Sequence, residues 1–170
     1  MLHELKAKGY EIVFESHAVA ILDRDFPSAL GELESVLKDF EIPITEIIGS
    51  GGGETKGTQR LRRALAAQGW RKTNFEIRKS IRFAEADTQT EPVQLEREST
   101  THEIDHVKAF AGDFAGNKLI ALEIEWNNKD PFYGRSLENF RKLHGEGAIC
   151  IAASCLACSS TRALLLVSAV

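Results

Sequence analysis

Residues 118–126 (KLIALEIEW) predict a strand that carries the chemistry of this protein. Side chains alternate between the two faces of a β-strand, so one face of this stretch is apolar and the other holds Glu123 and Glu125. The Cα atoms of the two glutamates would lie roughly 7 Å apart. Two carboxylates on one face of a mostly apolar strand are costly unless a cation lies between them. The pattern therefore favours a divalent-metal site.

A second predicted strand, residues 103–107 (EIDHV), supplies another carboxylate, Asp105. A Gly-Asn turn signal separates the two strands, which favours an antiparallel pair. Mg²⁺ prefers oxygen ligands and often binds through one or two carboxylates plus a phosphate. Such a metal activates water and stabilises the leaving oxygen in phosphodiester hydrolysis. The spacing alone fits equally well an exposed edge strand with solvated glutamates, and a glycosidase pair is less favoured because its carboxylates usually come from different elements.

Composition limits the class of protein. The chain has 170 residues, of which 43% are hydrophobic and 27% charged, a normal balance for one globular domain. A formal net charge of −4 excludes a uniformly basic nucleic-acid binder. No apolar run approaches the roughly 18 residues that a membrane helix needs, and the N-terminus has no apolar signal core. We therefore expect a cytoplasmic protein that does not bind membranes.

Positive charge is concentrated in residues 56–82, the basic segment. It contains nine basic residues and one acid, so it carries +8 whereas the remaining chain carries −12. Charge separated in this way within an acidic protein favours a polyanionic partner, although a solvated helix face gives the same pattern. The residues expected to contact DNA here are Arg60, Arg62, Arg63, Arg71 and Lys72.

Local patterns predict the other elements. Apolar spacing predicts helices near residues 27–40, 58–68 and 136–144. Strands are expected at 10–14, 17–22 and 42–48, and a loop or weak hairpin at 84–101. The glycine-rich residues 49–58 (GSGGGETKGT) lack the Gly-Lys-Ser/Thr ending of a P-loop. They are either a flexible turn or backbone that approaches a nucleic-acid phosphate.

The residues around the two carboxylate strands resemble the active-site region of type II restriction endonucleases of the BglII and BamHI kind, which belong to the PD-(D/E)xK nuclease superfamily. The matching segments are residues 103–105 (EID), 122–132 (LEIEWNNKDPF), 135–140 (RSLENF) and 147–149 (GAI). The resemblance covers about 103–151 and extends loosely over 51–75. The standard motif ends in lysine, whereas Glu125 occupies that position here, as a glutamate does in the BamHI variant. The BglII variant has glutamine there.

This resemblance implies an α/β protein with a restriction-endonuclease-like core, in which helices flank a mixed central β-sheet. It implies Mg²⁺-dependent hydrolysis of double-stranded DNA by a type II site-specific deoxyribonuclease of a restriction–modification system. Asp105 and Glu123 would be metal ligands, and Glu125 a ligand or the proton acceptor for the attacking water. The intact family form would be a homodimer.

Four further residues are carried over from the resemblance or from their position. Glu54 corresponds loosely to a supporting helix carboxylate of the superfamily. Asn127, Asn128 and Lys129 directly follow the catalytic strand, where they would orient water or contact the DNA backbone. A plain polar turn explains these three residues equally well.

After Ile151 the composition changes to Ala, Ser, Cys and Leu, and all three cysteines lie in the last 21 residues. One C-x-x-C pair without a second pair favours incidental cysteines over a zinc or redox site. We therefore divide the chain into a nuclease-like domain, 1–151, and an atypical tail, 152–170, typical of a truncated or frame-shifted product. The tail is expected to be poorly ordered or to rest on a sheet edge, with a divergent but genuine element as the alternative. A catalytically inactive, truncated remnant that still binds DNA is the alternative function.

Overall fold

The computed structural model describes residues 2–41, 56–84, 91–98, 102–110, 118–125, 131–157 and 163–169. Within these ranges the helices are α1 (His3–Ala7), α2 (Ala18–Asp25), α3 (Ala29–Lys38), α4 (Lys56–Ala67) and α5 (Pro131–Gly145). The strands are β1 (Glu11–Glu15), β2 (Arg71–Phe75), β3 (Arg78–Phe83), β4 (Val93–Glu98), β5 (His102–Phe110), β6 (Lys118–Glu125), β7 (Ile151–Ala157) and β8 (Ala163–Ser168). No helix within these ranges combines the length and the apolar composition that a membrane crossing requires.

Six strands form a mixed sheet in the order β1-β8-β7-β6-β5-β2. The pairs β1/β8 and β6/β7 are parallel, and the other three pairs are antiparallel. The carboxylate strands β5 and β6 are neighbours, as the turn between them predicts, and β6 is an inner strand. The predicted α/β fold with a mixed central sheet flanked by helices is confirmed.

Helices cover both faces of the sheet because β6 is apolar on both sides along its first half. Ile120 and Leu122 pack into the larger core, which includes residues of α1, α2, α3 and α4. Ala121, which points the other way, packs against Phe140 and Leu143 of α5 in a smaller core. The alternation along β6 thus places the face of Glu123 and Glu125 on the side of α5.

Several predicted elements occur close to their expected positions. The strand predicted at 10–14 is β1, and the helix predicted near 27–40 is α3. The helix predicted at 58–68 is α4, which begins two residues earlier and is followed by Gly69 at φ +91°. That left-handed conformation is accessible to glycine and lets the chain leave the helix. The helix predicted at 136–144 is α5, which begins at Pro131.

The strand expected at 17–22 is wrong, because these residues belong to α2. Ser16 and His17 have positive φ angles of 49° and 62°, which turn the chain at the start of the helix. Ala18 and Leu22, four residues apart, are both buried in the larger core. Packing on one side at helical spacing outweighs the β-branched character of Val19 and Ile21.

Strands β3 and β4 form a separate two-stranded hairpin, with pairs from Arg78↔Glu98 to Phe83↔Val93. Of the residues 84–101, where a loop or weak hairpin is expected, 93–98 form strand β4. This strand pairs with β3, which contains the end of the basic segment. The strand expected at 42–48 and the glycine-rich residues up to 55 lie outside the described residues.

The C-terminal residues form two inner strands of the sheet. Strand β7 pairs with β6 and β8, and β8 lies between β7 and β1. Small side chains suit a strand covered on both faces, since Ala152 packs towards α5 whereas Ala153 and Cys155 pack into the larger core. The expected loose, edge-bound tail is therefore not what the structure shows for 152–157 and 163–169. That residues 152–170 are foreign to the family, and the division of the chain there, stay predictions.

The described cysteines, Cys150 and Cys155, are free thiols. Burial raises the pKa of the Cys155 thiol to about 12. A thiol that stays protonated and buried is a small apolar core group rather than a nucleophile.

Candidate active site

The two carboxylate strands separate where the candidate catalytic residues begin. The paired part of β5 and β6 ends at His106↔Leu122. Beyond this pair, β6 continues beside β7 as far as Glu125, whereas β5 continues beside β2. In the same register, Asp105 would pair with Glu123, but β5 and β6 separate at this point and no backbone pair forms. Asp105 and Glu123 are called the carboxylate pair. This point of separation is the fork.

At the fork a side chain takes the place of a backbone partner. The backbone N–H of Asp105 donates a hydrogen bond of 3.4 Å to Oε1 of Glu123. Burial, together with the charges of Asp105 and Glu125, raises the pKa of Glu123 to about 9. Two carboxyl groups this close cannot both ionise at neutral pH unless a cation compensates their charge.

Glu125 is more deeply buried than its neighbour, with 7% of its surface exposed. Its Oε2 atom is buried and has no hydrogen-bond partner among the described residues. A buried carboxylate oxygen without a donor is unfavourable. The burial also differs from the alternative of an edge strand with solvated glutamates, because β6 has neighbours on both sides.

The donor set of the fork suits a hard cation that keeps most of its own ligands. Within the described ranges, no group of three or more His, Cys, Asp or Glu side chains is arranged to hold a metal ion. Two carboxylates are nevertheless a sufficient protein contribution for Mg²⁺, which commonly completes its coordination with water and substrate phosphate. The raised pKa of Glu123 beside Asp105 marks the place where a cation would relieve the repulsion.

A family model described as restriction endonuclease BglII/BglIII matches residues 10–163. The chain belongs to the BglII/BglIII restriction endonuclease family. The match includes both carboxylate strands and runs past Ile151, and it confirms the resemblance found in the sequence. Membership in this family implies that the chain binds DNA. No curated protein and no solved structure matches the chain.

In this family member, Lys72 approaches the fork from β2. The register between β2 and β5 shifts between Arg71 and Thr73, so Lys72 faces two residues of β5, Asp105 and His106. Such a bulge re-aims side chains and is common beside active sites. The sequence indicated Lys72 only as a general DNA contact, because residue spacing does not report a pairing between distant strands.

Lys72 is held at this position by a glutamate. Its Nζ lies 2.5 Å from Oε1 of Glu103, and both side chains are about half exposed. The hydrogen bond to Glu103, assisted by the charges of Glu103 and Asp105, raises the pKa of Lys72. The carboxyl groups of Asp105, Glu123 and Glu125 thus lie at the fork, together with one ammonium group that Glu103 anchors.

His106, beside Asp105, is a residue of the fork that the sequence pattern did not indicate. Only 3% of its surface is exposed, and burial lowers the pKa of its imidazole despite the opposing influence of Asp105. It pairs with Leu122 at the last rung before the strands separate.

The predicted DNA contacts occupy different environments. Arg62 and Arg63 are exposed on α4. Arg60 is also exposed and donates a 3.0 Å hydrogen bond to the carbonyl oxygen of Glu41.

Arg71 has a structural role. Its Nη1 donates hydrogen bonds to the carbonyl oxygens of Ala66 and Trp70, so it satisfies backbone acceptors where α4 ends. Glu54, Asn127, Asn128 and Lys129 lie outside the described residues.

Proposed function

We propose that this chain is a type II site-specific deoxyribonuclease that hydrolyses phosphodiester bonds of double-stranded DNA with Mg²⁺ in a restriction–modification system. The observation that carries the proposal is the carboxylate pair at the fork, with buried Glu125 beside it on the same strand, in a chain of this family. A Glu-x-Glu pattern on a solvated strand would have no such need of a cation.

In this mechanism, Asp105 and Glu123 would hold the Mg²⁺ ion with one oxygen or more each. The bound ion would supply Lewis acidity, which polarises the phosphate and makes a water molecule more acidic. Before the ion binds, Glu123 must lose its proton, which burial and the charge of Asp105 retain on it. Metal binding is therefore coupled to proton release.

Glu125 would act as the proton acceptor. Its Oε2 atom is buried and lacks a donor among the described residues, so a lone pair is available there for a proton from the attacking water. Leu122 and Ile124 pack into the larger core, and this packing holds the adjoining glutamates in place. Strand geometry thus contributes to fixing the position of the proton acceptor.

Arg62 and Arg63 would hold the DNA. Both side chains lie on the exposed surface of α4, within the basic segment. Contacts from such side chains to phosphates bring affinity and orientation without reading the base sequence.

Incubation of the whole chain with supercoiled plasmid and bacteriophage DNA, in Mg²⁺ or in EDTA, tests the proposal. Discrete linear fragments that require Mg²⁺ are expected, since a site-specific enzyme cuts at a limited set of positions. DNA from the source cell should resist cleavage, because a companion methyltransferase would protect it.

The matched control for this assay is Glu138→Gln. Glu138 is an exposed glutamate of α5, paired with Lys142 on the same helix, and its replacement should leave the fragment pattern unchanged. Cleavage that continues in EDTA would contradict metal dependence. A mobility shift of DNA without any cleavage would support the alternative of an inactive DNA-binding remnant.

A further inference from the structure

We propose that Lys72 is a positioning residue of the carboxylate pair. Its ammonium group, anchored by Glu103, restrains divalent-cation binding at Asp105 and Glu123 in the absence of DNA and favours the negative charge that develops on the phosphate during cleavage. This inference rests on the proposed function, because it assigns a role at the same fork.

The position of Lys72 is determined by packing on β5. Ile104 and Val107 are three residues apart, so regular alternation would place them on opposite faces, yet both are buried in the core beside α5. One extra residue in β5 between these two positions resolves the conflict and produces the bulge opposite Lys72. Core residues on both sides of the bulge thus fix the strand segment that Lys72 faces.

The ion pair between Lys72 and Glu103 contributes little to the stability of the fold. Its side chains are 53% and 56% exposed, and ion pairs exposed to this degree contribute little to folding stability. The pair does keep the ammonium group beside Asp105, whose charge also acts on Lys72. Anchoring at an active site is therefore a better explanation than stabilisation of the fold.

The charge of Lys72 has opposite effects on two events. A positive charge beside Asp105 opposes the approach of a second cation, so it weakens metal binding to the free protein. When DNA is bound, the same charge favours the extra negative charge on the reacting phosphate. A purely structural lysine would affect neither event in this direction.

The chain contains a closely matched control in Lys79. Its Nζ lies 2.5 Å from Oε1 of Glu146, and 54% of its side chain is exposed. Lys72 and Lys79 thus have the same charge, the same pair distance and nearly the same exposure, but Lys79 pairs with the segment that follows α5 instead of facing the fork.

Calorimetric titration of Mg²⁺ into the whole chain without DNA tests the inference, in the parent and in Lys72→Met, Lys72→Arg and Lys79→Met. Lys72→Met should bind Mg²⁺ about fivefold more tightly, the scale of one screened charge at short range. Its turnover at saturating Mg²⁺ and DNA should fall about tenfold. Lys72→Arg, which keeps the charge, and Lys79→Met should stay within about twofold of the parent in both measurements.

Mg²⁺ affinity that does not rise in Lys72→Met, or turnover that does not fall, would overturn the inference. So would equal effects of Lys72→Met and Lys79→Met, which would indicate a general decrease in surface charge. Failure of the proposed function has a different result, because the parent itself would then show no Mg²⁺ binding or no cleavage, and the role of Lys72 would fall with it. Thermal unfolding of each variant verifies that it is folded.

Discussion

The fork and the β3–β4 hairpin have similar residue types but opposite environments. At the fork, ionisable side chains lie on inner strands, where Glu125 is buried and the pKa of Glu123 is raised by burial and by the charge of Asp105. In the hairpin, apolar side chains are exposed together with the charged ones, at Ile81, Phe83, Val93 and Leu95. Side chains alternate between the two faces of a strand in both regions. The elements packed around a strand therefore decide whether its ionisable side chains are buried and have shifted pKa values.

The difference has an energetic reason. Strand β6 has a strand on each side and helices on both faces, so its glutamates lose water without gaining enough partners. Strands β3 and β4 form a separate two-stranded sheet, and Arg78 and Arg82 reach the polar groups of Glu76 and Gln94 in solvent. Unsatisfied charge at the fork is thus available for a ligand, whereas charge on the hairpin is already solvated.

The largest expected effect comes from removing either member of the carboxylate pair. Asp105→Asn or Glu123→Gln should slow Mg²⁺-dependent cleavage by about 1,000-fold or more, the scale of removing one major electrostatic contributor. DNA binding in EDTA should persist or strengthen, because a negative charge that faces the phosphate is removed. Gel cleavage and mobility-shift assays measure the two effects. Cleavage that persists in either variant would place the metal site elsewhere.

Charge reversal on α4 should have the next largest effect. Arg62→Glu combined with Arg63→Glu should weaken DNA binding and reduce the slope of log affinity against log salt by about 0.9 for each phosphate that the protein no longer neutralises. Fluorescence anisotropy at several salt concentrations measures this slope. Arg24→Glu, an exposed arginine of α2 outside the basic segment, is the control. An unchanged slope in the double variant would make the basic segment a solvated surface only.

Glu123→Gln should also stabilise the metal-free protein. The pKa of Glu123 is about 9 in the folded state and near its ordinary value of 4.5 when unfolded, so the folded state holds an extra proton between these pH values. Stability of the parent therefore falls as the pH rises from about 4.5 to 9, whereas glutamine carries no proton to lose. Thermal unfolding in EDTA should show a higher midpoint for the variant at pH 8 and a smaller difference at pH 5. A difference that shrinks as the pH rises would contradict this prediction.

The smallest effect is expected in the hairpin. Leu95→Thr removes an apolar side chain that is 45% exposed, so the free energy of unfolding should change by about 0.5 kcal/mol or less. Leu122→Ala, in the buried part of β6, should cost about 2–5 kcal/mol. Urea unfolding of both variants measures the contrast. A large destabilisation in Leu95→Thr would show that the hairpin face is covered in solution.

Tertiary structure altered several local expectations. Residues 17–22 contain β-branched side chains that favour a strand, but Ala18 and Leu22 pack on one side as a helix does. The C-terminal residues look foreign by composition, but the small side chains of Ala152, Ala153 and Cys155 pack into the cores on the two faces of the sheet. Composition and short-range propensity do not report which surfaces are available for packing, so they could not predict either result.

The sequence by itself determined the alternating faces of β6, the apolar helix faces of α3 and α5, and the three carboxylates on two adjacent strands. These features depend on periods of two and 3.6 residues, which a linear sequence displays directly. Only the tertiary structure decided that β5 and β6 separate beyond the His106–Leu122 pair and that Lys72 of β2 lies opposite Asp105 and His106. Both results depend on register between segments distant in sequence, where the packing of Ile104 and Val107, rather than local spacing, selects one arrangement.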